Sequence, residues 1–369
     1  MAEDDLIIER AGPLAKLTLN RPKALNALTH DQTKRMRDLL ADWAEDDGVR
    51  CLLLAGAGGR AFCSGGDVRA VRAAVVEIAA RTGGYDPRSV DRGETPFAFF
   101  VDEYSLNAEL GAFPKPIVSL LDGVAMGGGL GLALHGSHRV ATERILMAMP
   151  EQAIGLFPDV GSALLLYAAP GGLGLYLAAT GARIKGAADA LYSGFATHAV
   201  ASEQLDAVAP ALATANWDSE DAEAVVDGAL APLALDAGAA SFAAMRPGLD
   251  RCFANDATPE TSIAALGAED GDWAVGAAEA LRKGSPTSIR LAYAQRDRAV
   301  GLTLPETLQV DFRLAQFCMS RPDFAEGVRA VLIDKDGAAS WSPAALDAVA
   351  DDEIDAAFAP LDGRDLFAA

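Results

Sequence analysis

The sequence predicts an α/β layered fold, because short apolar strands alternate with amphipathic helices along its first half. Leu17 and Leu19 alternate with polar residues, which is typical of a half-buried strand. Residues 51–55 and 117–121 are short apolar runs, and each is followed by glycines or a turn. Such runs indicate strands covered on both faces, as in sheets with helical crossovers. Together these observations favour a layered α/β protein.

The remaining elements follow from capping signals and breakers. Residues 29–32 have the S/T-x-x-E/Q form of a capping box, which predicts that a helix begins there. Residues 82–96 combine glycines, prolines and charges and predict a surface loop, and residues 97–111 predict a helix. One more strand is expected within 140–149. The first predicted helix carries an apolar face at i, i+3, i+4 and i+7, formed by Met36, Leu39, Leu40 and Trp43.

Strand signals fade after about residue 176, and Ala-rich stretches with dispersed acids predict helices instead. We expect a core over residues 1–200 and a mainly helical region over 201–369 that completes the same domain. The acids between 203 and 227 are predicted to lie on solvated helix faces.

Composition excludes several classes of protein. The chain has 369 residues and a net charge of −21, and its pI is near 4.5. This balance argues against binding of nucleic acid or of an anionic membrane surface. The four cysteines show no CxxC pair, and the acidic N-terminus has the pattern of neither a signal nor a transit peptide. We therefore expect reduced thiols and a cytoplasmic protein.

Two glycine clusters each follow a predicted strand and precede a predicted helix: residues 61–67 and residues 122–130. Glycine at such a junction lets the backbone approach a ligand closely, and the first N–H groups of a helix have no intrahelical acceptor. One N–H group from each turn is able to hold a single developing oxyanion. Ordinary strand–helix turns give the same pattern, but the sequence forms of the phosphate and dinucleotide loops are missing.

Two carboxylates, Glu151 and Asp159, stand eight residues apart in an otherwise uncharged stretch. Burial among apolar residues raises the pKa of a carboxyl group, and two such groups near one pocket are able to divide acid and base work. The alternative is structural: Glu151 caps a helix, and Asp159 lies on a turn beside Pro158.

Taken together, the motifs resemble the crotonase (enoyl-CoA hydratase/isomerase) superfamily, and most closely its 3-hydroxyisobutyryl-CoA hydrolase branch. The resemblance spans nearly the whole chain in family order. The stretches that carry it are NRPKALNAL at 20–28, AFCSGGD at 61–67, EYSLN at 103–107, MGGGLGLALHG at 126–136, AMPEQAIGLFPDVG at 148–161, SPTS at 285–288 and EGVRAVLIDKD at 326–336.

The resemblance implies a spiral of ββα units followed by a helical C-terminal region, and it implies roles for residues. Gly66 and Gly128 match the positions whose N–H groups hold the thioester oxygen. Glu151 matches the catalytic glutamate, and Asp159 matches the aspartate that marks the hydrolase branch. Glu103 matches a carboxylate that contacts substrate and is suited to accept a hydrogen bond from a 3-hydroxyl. The implied substrate-binding residues are Glu103, Lys23, Ala24, Ser64, Gly65, Asp67 and Gly127.

One departure bears on the reaction. Hydratases of the family carry a second catalytic glutamate at the position of Gly131, which has no side chain. The resemblance therefore favours hydrolysis of an acyl-CoA thioester, with Glu151 as base or nucleophile, over the isomerase or hydratase alternative and over a CoA-ester binder without turnover. No cofactor is expected, since coenzyme A is part of the substrate. The family often forms trimers or hexamers, so a homo-oligomer is among the expected states.

Other candidate groups are weaker. Cys63 lies beside the glycines, but no histidine is near it in sequence, and a structural thiol is expected. His135 and His138 are three residues apart without further ligands nearby, which predicts packing or surface histidines and no metal site. His198 has no partner that the sequence reveals.

Overall fold

The computed structural model describes residues 4–368. Ten strands form two sheets. They are β1 (Leu6–Ala11), β2 (Leu14–Leu19), β3 (Cys51–Gly56), β4 (Ala61–Cys63), β5 (Ile117–Leu121), β6 (Val124–Met126), β7 (His138–Ala141), β8 (Leu146–Ala148), β9 (Ile184–Lys185) and β10 (His198–Ala199).

Strands β3 to β8 alternate between the two sheets. The six-stranded sheet has the order β1-β2-β3-β5-β7-β10, and the four-stranded sheet has the order β4-β6-β8-β9. β1 and β2 form an antiparallel pair, and the other pairs of the larger sheet are parallel. From β3 to β8 each strand of the larger sheet is followed by one of the smaller sheet, and a helix follows both β4 and β6. This repeat confirms the predicted spiral of ββα units.

The described residues also form sixteen α-helices. Among these residues no β-strand follows residue 200, so that part of the chain is helical, as predicted. The helices are α1 (His30–Glu45), α2 (Val68–Thr82), α3 (Thr95–Gly111), α4 (Gly128–Leu134), α5 (Ala163–Leu166), α6 (Leu173–Thr180), α7 (Gly186–Tyr192), α8 (Leu205–Thr214), α9 (Ala222–Leu230), α10 (Ser241–Cys252), α11 (Pro259–Leu266), α12 (Asp272–Lys283), α13 (Pro286–Arg298), α14 (Leu304–Met319), α15 (Pro322–Val328) and α16 (Asp351–Ala357). Among residues 4–368 no helix has both the length and the apolar character to cross a membrane.

The chain forms two compact units whose segments interleave in sequence. Unit 1 comprises described residues 4–66, 106–147 and 183–243, and unit 2 comprises 67–105, 148–182 and 244–368. The expected division at residue 200 stays a prediction. Unit 1 has a core in which strands of the larger sheet pack against α8 and α9, and its members include Leu53, Val118, Val140, Val200, Val208, Leu212, Val226 and Leu230.

Most local predictions are confirmed. The capping box is present, with the Gln32 backbone N–H donating to the Thr29 hydroxyl and the Thr29 N–H donating to the Gln32 side chain. The segment between α2 and α3 has no regular structure, as expected, although Tyr85 and Val90 within it are buried. Within 140–149 the structure differs, because two strands, β7 and β8, stand where one was predicted. β9 and β10 were missed, since two residues are too few to show a period.

The close approach of two glycine turns in unit 1 gives a test of the fold. Gly129 is buried in α4, and a Cβ built on it would lie 2.3 Å from the carbonyl oxygen of Cys63 at the end of β4. We expect Gly129→Ala to lower the free energy of unfolding by about 1–3 kcal/mol through overpacking. Urea unfolding measures this loss.

The matched control is Gly276→Ala on α12, where a new Cβ meets nothing within 4 Å. Alanine should stabilise that exposed helix by about 1 kcal/mol. Equal stability changes in the two variants would contradict the packing described for α4.

Candidate active site

The two glycine turns adjoin each other within unit 1. Gly65 has a φ of +109° and Gly127 a φ of +49°, which glycine adopts readily. A Cβ on Gly65 would lie 3.1 Å from the Met126 carbonyl oxygen and 3.7 Å from the Gly128 backbone nitrogen. Gly128 begins α4, so its N–H has no acceptor within the helix. The two turns thus lie close together, and the assignment of their N–H groups to one oxygen stays a prediction.

The predicted binding residues of the 22–28 segment lie against the first glycine turn. The Ser64 N–H donates to the Leu25 carbonyl over 3.0 Å, and the Leu28 N–H donates to the Gly65 carbonyl over 2.9 Å. Lys23 and Ala24 are exposed at this edge of unit 1. Their side chains are therefore accessible to a ligand.

Asn26 organises this edge, and the sequence reasoning did not single it out. It is buried, has a φ of +56°, and its side-chain amide donates to the carbonyls of Ala57 and Ala61 over 3.0 and 2.8 Å. Its side-chain oxygen accepts from the Arg21 N–H. Asparagine is among the few residues that tolerate this conformation, which is the signal that sequence offers.

Unit 2 brings together the three predicted carboxylates. Glu103 lies on α3, Glu151 begins a 3₁₀ helix over Glu151–Ile154, and Asp159 follows Pro158 on a turn. Glu103, Glu151 and Asp159 are only 3%, 5% and 4% exposed. Glu151 is the first residue of that 3₁₀ helix, whose N-cap position is Pro150. Asp67 precedes α2 in the same unit.

Burial sets the protonation of this cluster. It raises the pKa values of Glu103 and Glu151 well above their ordinary range, and the charge of Asp159 raises both further. Burial also raises the pKa of Asp159, to about 6, but the Tyr104 hydroxyl donates to its Oδ2 over 2.6 Å and opposes that rise. The three carboxyl groups therefore titrate as a coupled set, in which a charge on one group disfavours a charge on its neighbours.

Two carboxylate oxygens face the interior without a hydrogen-bond partner among the described residues. They are Oε1 of Glu103 and Oε2 of Glu151. Buried polar atoms are nearly always satisfied, so such exceptions point to a ligand or to water. The cluster is thus equipped for acid–base work, with one oxygen of each glutamate able to contact a substrate.

A polar network that the sequence did not reveal holds the Asp159 turn. The Gly161 N–H donates to Asp311 on α14 over 2.8 Å, and Gln295 on α13 donates to Asp311 over 2.8 Å and to the Pro158 carbonyl over 3.2 Å. Val160, fully buried between them, has a φ of +55°, which costs a β-branched residue about 1–3 kcal/mol. The network stabilises this strained conformation and so fixes where Asp159 points.

The Glu151 helix has its own support from the stretch at 285–288. The Ser285 N–H donates to the Gln152 carbonyl over 2.9 Å, and the Ser285 hydroxyl donates to Asp323 over 2.6 Å. Ser285 also begins α13, accepting from the Ser288 N–H. One serine thus ties the segment of Glu151 to the start of α13.

Two further residues that the sequence analysis considered, Cys63 and His198, lie in unit 1. Cys63 is fully buried, in keeping with a structural thiol. The sequence reveals no partner for His198, but the structure shows one, because the His198 Nε2 lies 3.0 Å from Asp227 Oδ1. Asp227 is 29 residues away on α9, beyond the reach of a local motif.

The Tyr104 hydrogen bond gives a direct test of the carboxylate cluster. Tyr104→Phe removes a donor that stabilises ionised Asp159. Because a hydrogen bond to a charged group contributes about 1.5–3 kcal/mol, we expect the pKa of Asp159 to rise by about 1–2 units. Carboxyl ¹³C NMR titration measures the shift. Tyr293→Phe, which removes another buried hydroxyl, bonded to Ser262, is the control. An Asp159 titration identical in both variants would contradict the assigned contact.

Known proteins are similar to this chain over nearly its whole length. A family model described as enoyl-CoA hydratase/isomerase matches residues 14–358. The chain is 39% identical to the 3-hydroxyisobutyryl-CoA hydrolase, mitochondrial, of Danio rerio, over 99% of this chain and 92% of that protein. It is 38% identical to the protein of the same name from Homo sapiens, over 99% and 91%.

Solved structures of similar fold carry other names. A carnitinyl-CoA dehydratase from Mycobacterium thermoresistibile superposes with a TM-score of 0.85 at 39% identity, covering 97% of each chain. An enoyl-CoA hydratase from Rhodobacter sphaeroides also has a TM-score of 0.85, at 33% identity, covering 98% of this chain and 99% of that one.

Proposed function

The chain belongs to the enoyl-CoA hydratase/isomerase family, and on that premise we propose that it hydrolyses the thioester of a short-chain 3-hydroxyacyl-CoA. The substrate we propose is 3-hydroxyisobutyryl-CoA, an intermediate of valine breakdown, and the products are 3-hydroxyisobutyrate and CoA. The single observation that carries the proposal is the buried Glu151–Asp159 pair in unit 2. Relatives that are 38–39% identical over almost the whole chain and named for this hydrolysis support it.

The proposed chemistry begins at the thioester carbonyl. Its oxygen gains negative charge when a nucleophile adds to the carbon, and preorganised N–H donors stabilise that charge. We assign this role to the backbone N–H groups of Gly66 and Gly128. The adjoining glycine turns of unit 1 support the assignment, because they bring Gly65 close to the nitrogen of Gly128.

Glu151 carries the next step by one of two routes. In the first, its carboxylate removes a proton from water, and the hydroxide forms the new C–O bond as the C–S bond breaks. In the second, the carboxylate itself attacks, the thiolate of CoA departs, and water then hydrolyses the acyl anhydride. In both routes Asp159 orients the reactants or passes a proton. Glu103 accepts a hydrogen bond from the 3-hydroxyl, and its unpartnered buried oxygen supports that role.

We propose that the reaction needs no separate cofactor, because water and the carboxylates supply every group that it consumes. We also propose a cytoplasmic location. The four cysteines are free and buried, as suits a reducing compartment, while the curated relatives are named as mitochondrial. Homo-oligomer formation stays a prediction.

The second candidate is a hydratase or isomerase, and the names of the two superposed structures favour it. Addition of water across a double bond benefits from two acid–base groups that flank it. The position that would supply the second group is Gly131, buried within α4. A CoA-ester binder without turnover is a third candidate, and the buried acids of unit 2 argue against it.

One purified sample decides between the three. We expect it to release free thiol from 3-hydroxyisobutyryl-CoA much faster than it hydrates crotonyl-CoA. A thiol reagent follows the first reaction and enoyl absorbance the second. We also expect Asp159→Asn to slow thiol release. Fast hydration without thiol release would overturn the hydrolase proposal. If the sample catalyses neither reaction, the CoA-ester binder is the candidate that remains.

Glu151→Gln should separate activity from stability. We expect turnover to fall by about 10²–10⁴-fold, the usual contribution of a general base, or by more if Glu151 is the nucleophile. The same change should raise the Tm at pH 8. The folded-state pKa of Glu151 lies above its unfolded value, so the wild type loses stability as pH rises between the two. At pH 4 both states hold the proton, and the gain should vanish.

Circular dichroism melts at both pH values and the thiol assay give the two readouts. Glu279→Gln, at an exposed glutamate on α12, is the matched control and should change neither. Near-normal turnover in folded Glu151→Gln protein would remove Glu151 from the mechanism, and an unchanged Tm at pH 8 would contradict its buried, perturbed state.

A further inference from the structure

Two histidines and an aspartate in unit 1 converge outside the carboxylate cluster. The ligand atoms of His138, His198 and Asp227 all lie within 4.8 Å of one another. The Asp227 Oδ1 is 3.3 Å from His138 Nε2 and 3.0 Å from His198 Nε2. No step of the proposed hydrolysis uses these residues.

The larger sheet positions the two imidazoles. β7 and β10 are parallel neighbours, and His198 pairs with Val140. His138 lies two residues before Val140, and residues two apart on a strand point to the same face of a sheet. The rings therefore stand side by side, with centroids 5.2 Å apart and planes 30° apart.

Helix α9 brings the carboxylate to that face. Val226 and Leu230 of α9 are buried in the same core as Val140, so hydrophobic packing fixes the helix on the sheet. Asp227, next to Val226, is then held over both rings while remaining 61% exposed. The sheet thus fixes the two imidazole rings, and the cluster is open to solvent at Asp227.

The spacing matches that of ligands on one metal ion. Two ligands bound at the 2.0–2.1 Å that zinc prefers, at tetrahedral angles, are about 3.3 Å apart. Both of the observed nitrogen–oxygen distances are close to this value. A hydrogen bond between each ring and the carboxylate would give similar distances, and the experiment below distinguishes the two.

The second nitrogen of each ring is also oriented as in metal sites. The Nδ1 atoms of His138 and His198 each lie 2.8 Å from a neighbouring hydroxyl, those of Ser137 and Thr197. A hydroxyl is able to accept the Nδ1 proton, which leaves Nε2 unprotonated and free to coordinate. Metal-binding histidines almost always have such a partner on the other nitrogen.

We propose that His138, His198 and Asp227 form a binding site for a divalent transition-metal ion, with zinc as its best-suited occupant. Two imidazoles and one carboxylate suit zinc, and the exposed side of Asp227 leaves a fourth position to water. Such an ion joins β7, β10 and α9 within unit 1, so it stabilises the fold there and takes no part in thioester cleavage.

The test is zinc binding by the full chain after its metals have been stripped. Equilibrium dialysis against zinc buffered by a competing chelator, with metal analysis, gives the stoichiometry and affinity. We expect one zinc per chain, and a Tm that rises with zinc. His198→Ala should weaken the affinity by more than about 100-fold, since losing even an outer-shell partner costs about 10–100-fold. Thr197→Val removes the hydroxyl beside His198 Nδ1 and should weaken the zinc affinity by about 10–100-fold.

His135→Ala removes a histidine outside the cluster and should bind zinc as the wild type does. Asp227→Asn provides a second test at an exposed position, should His138 or His198 variants fail to fold. The proposal is overturned if the stripped wild type binds no zinc, or if folded His198→Ala and Asp227→Asn bind it with unchanged affinity. In either case the contacts are hydrogen bonds only.

Discussion

Burial of carboxyl groups is the constraint on which the interior of unit 2 depends. Glu103, Glu151, Asp159 and Asp311 are all at most 5% exposed, and burial is the largest cause of the raised pKa of each. An uncompensated buried charge is expensive, so burial favours the protonated form of each of these groups. The Tyr104 hydroxyl donates to Asp159 and opposes the effect of burial on the pKa of that group. The carboxyl groups of the cluster thus have different surroundings, and such differences allow acid and base roles to be divided.

The strained backbone at Val160 also follows from the burial of a carboxyl group, that of Asp159. A turn that aims Asp159 inward leaves Val160 in the left-handed region and directs the Gly161 N–H toward the interior. Asp311 accepts that N–H, and Gln295 binds Asp311 in turn. Without these partners the turn would have a buried unsatisfied donor as well as a strained residue, and would relax. Helices α13 and α14 therefore support the Asp159 turn through Gln295 and Asp311, which both lie outside the motifs that carry the family resemblance.

Sequence predicted those features that depend on local spacing. The capping box of α1, the strand at Ile117–Leu121, both glycine turns and the Glu151–Asp159 pair can each be seen within a dozen residues. Tyr104, Gln295 and Asp311 could not be assigned, because their contacts with residues 158–161 span 55 to 150 residues.

The cluster on β7, β10 and α9 shows the same limit. Asp227 lies in a stretch of dispersed acids that predicts a solvated helix face, and it is indeed mostly exposed. Its two histidine contacts exist only because the strand register brings His198 beside Val140. Exposure and pairing are thus compatible at Asp227, because the buried Val226 and Leu230 fix α9 against the sheet.

Similarity of fold does not decide the reaction here. The chain is 39% identical both to a protein named as a hydrolase and to one named as a dehydratase, and the latter superposes with a TM-score of 0.85. Backbone N–H groups that stabilise a thioester oxygen would serve either reaction, since both develop charge on that atom. The difference must then lie in side chains that manage protons. Gly131 supplies no such group, whereas Asp159 is a buried carboxyl group that accepts a hydrogen bond from Tyr104. On this scaffold it is therefore these two positions that distinguish the hydrolase from the hydratase.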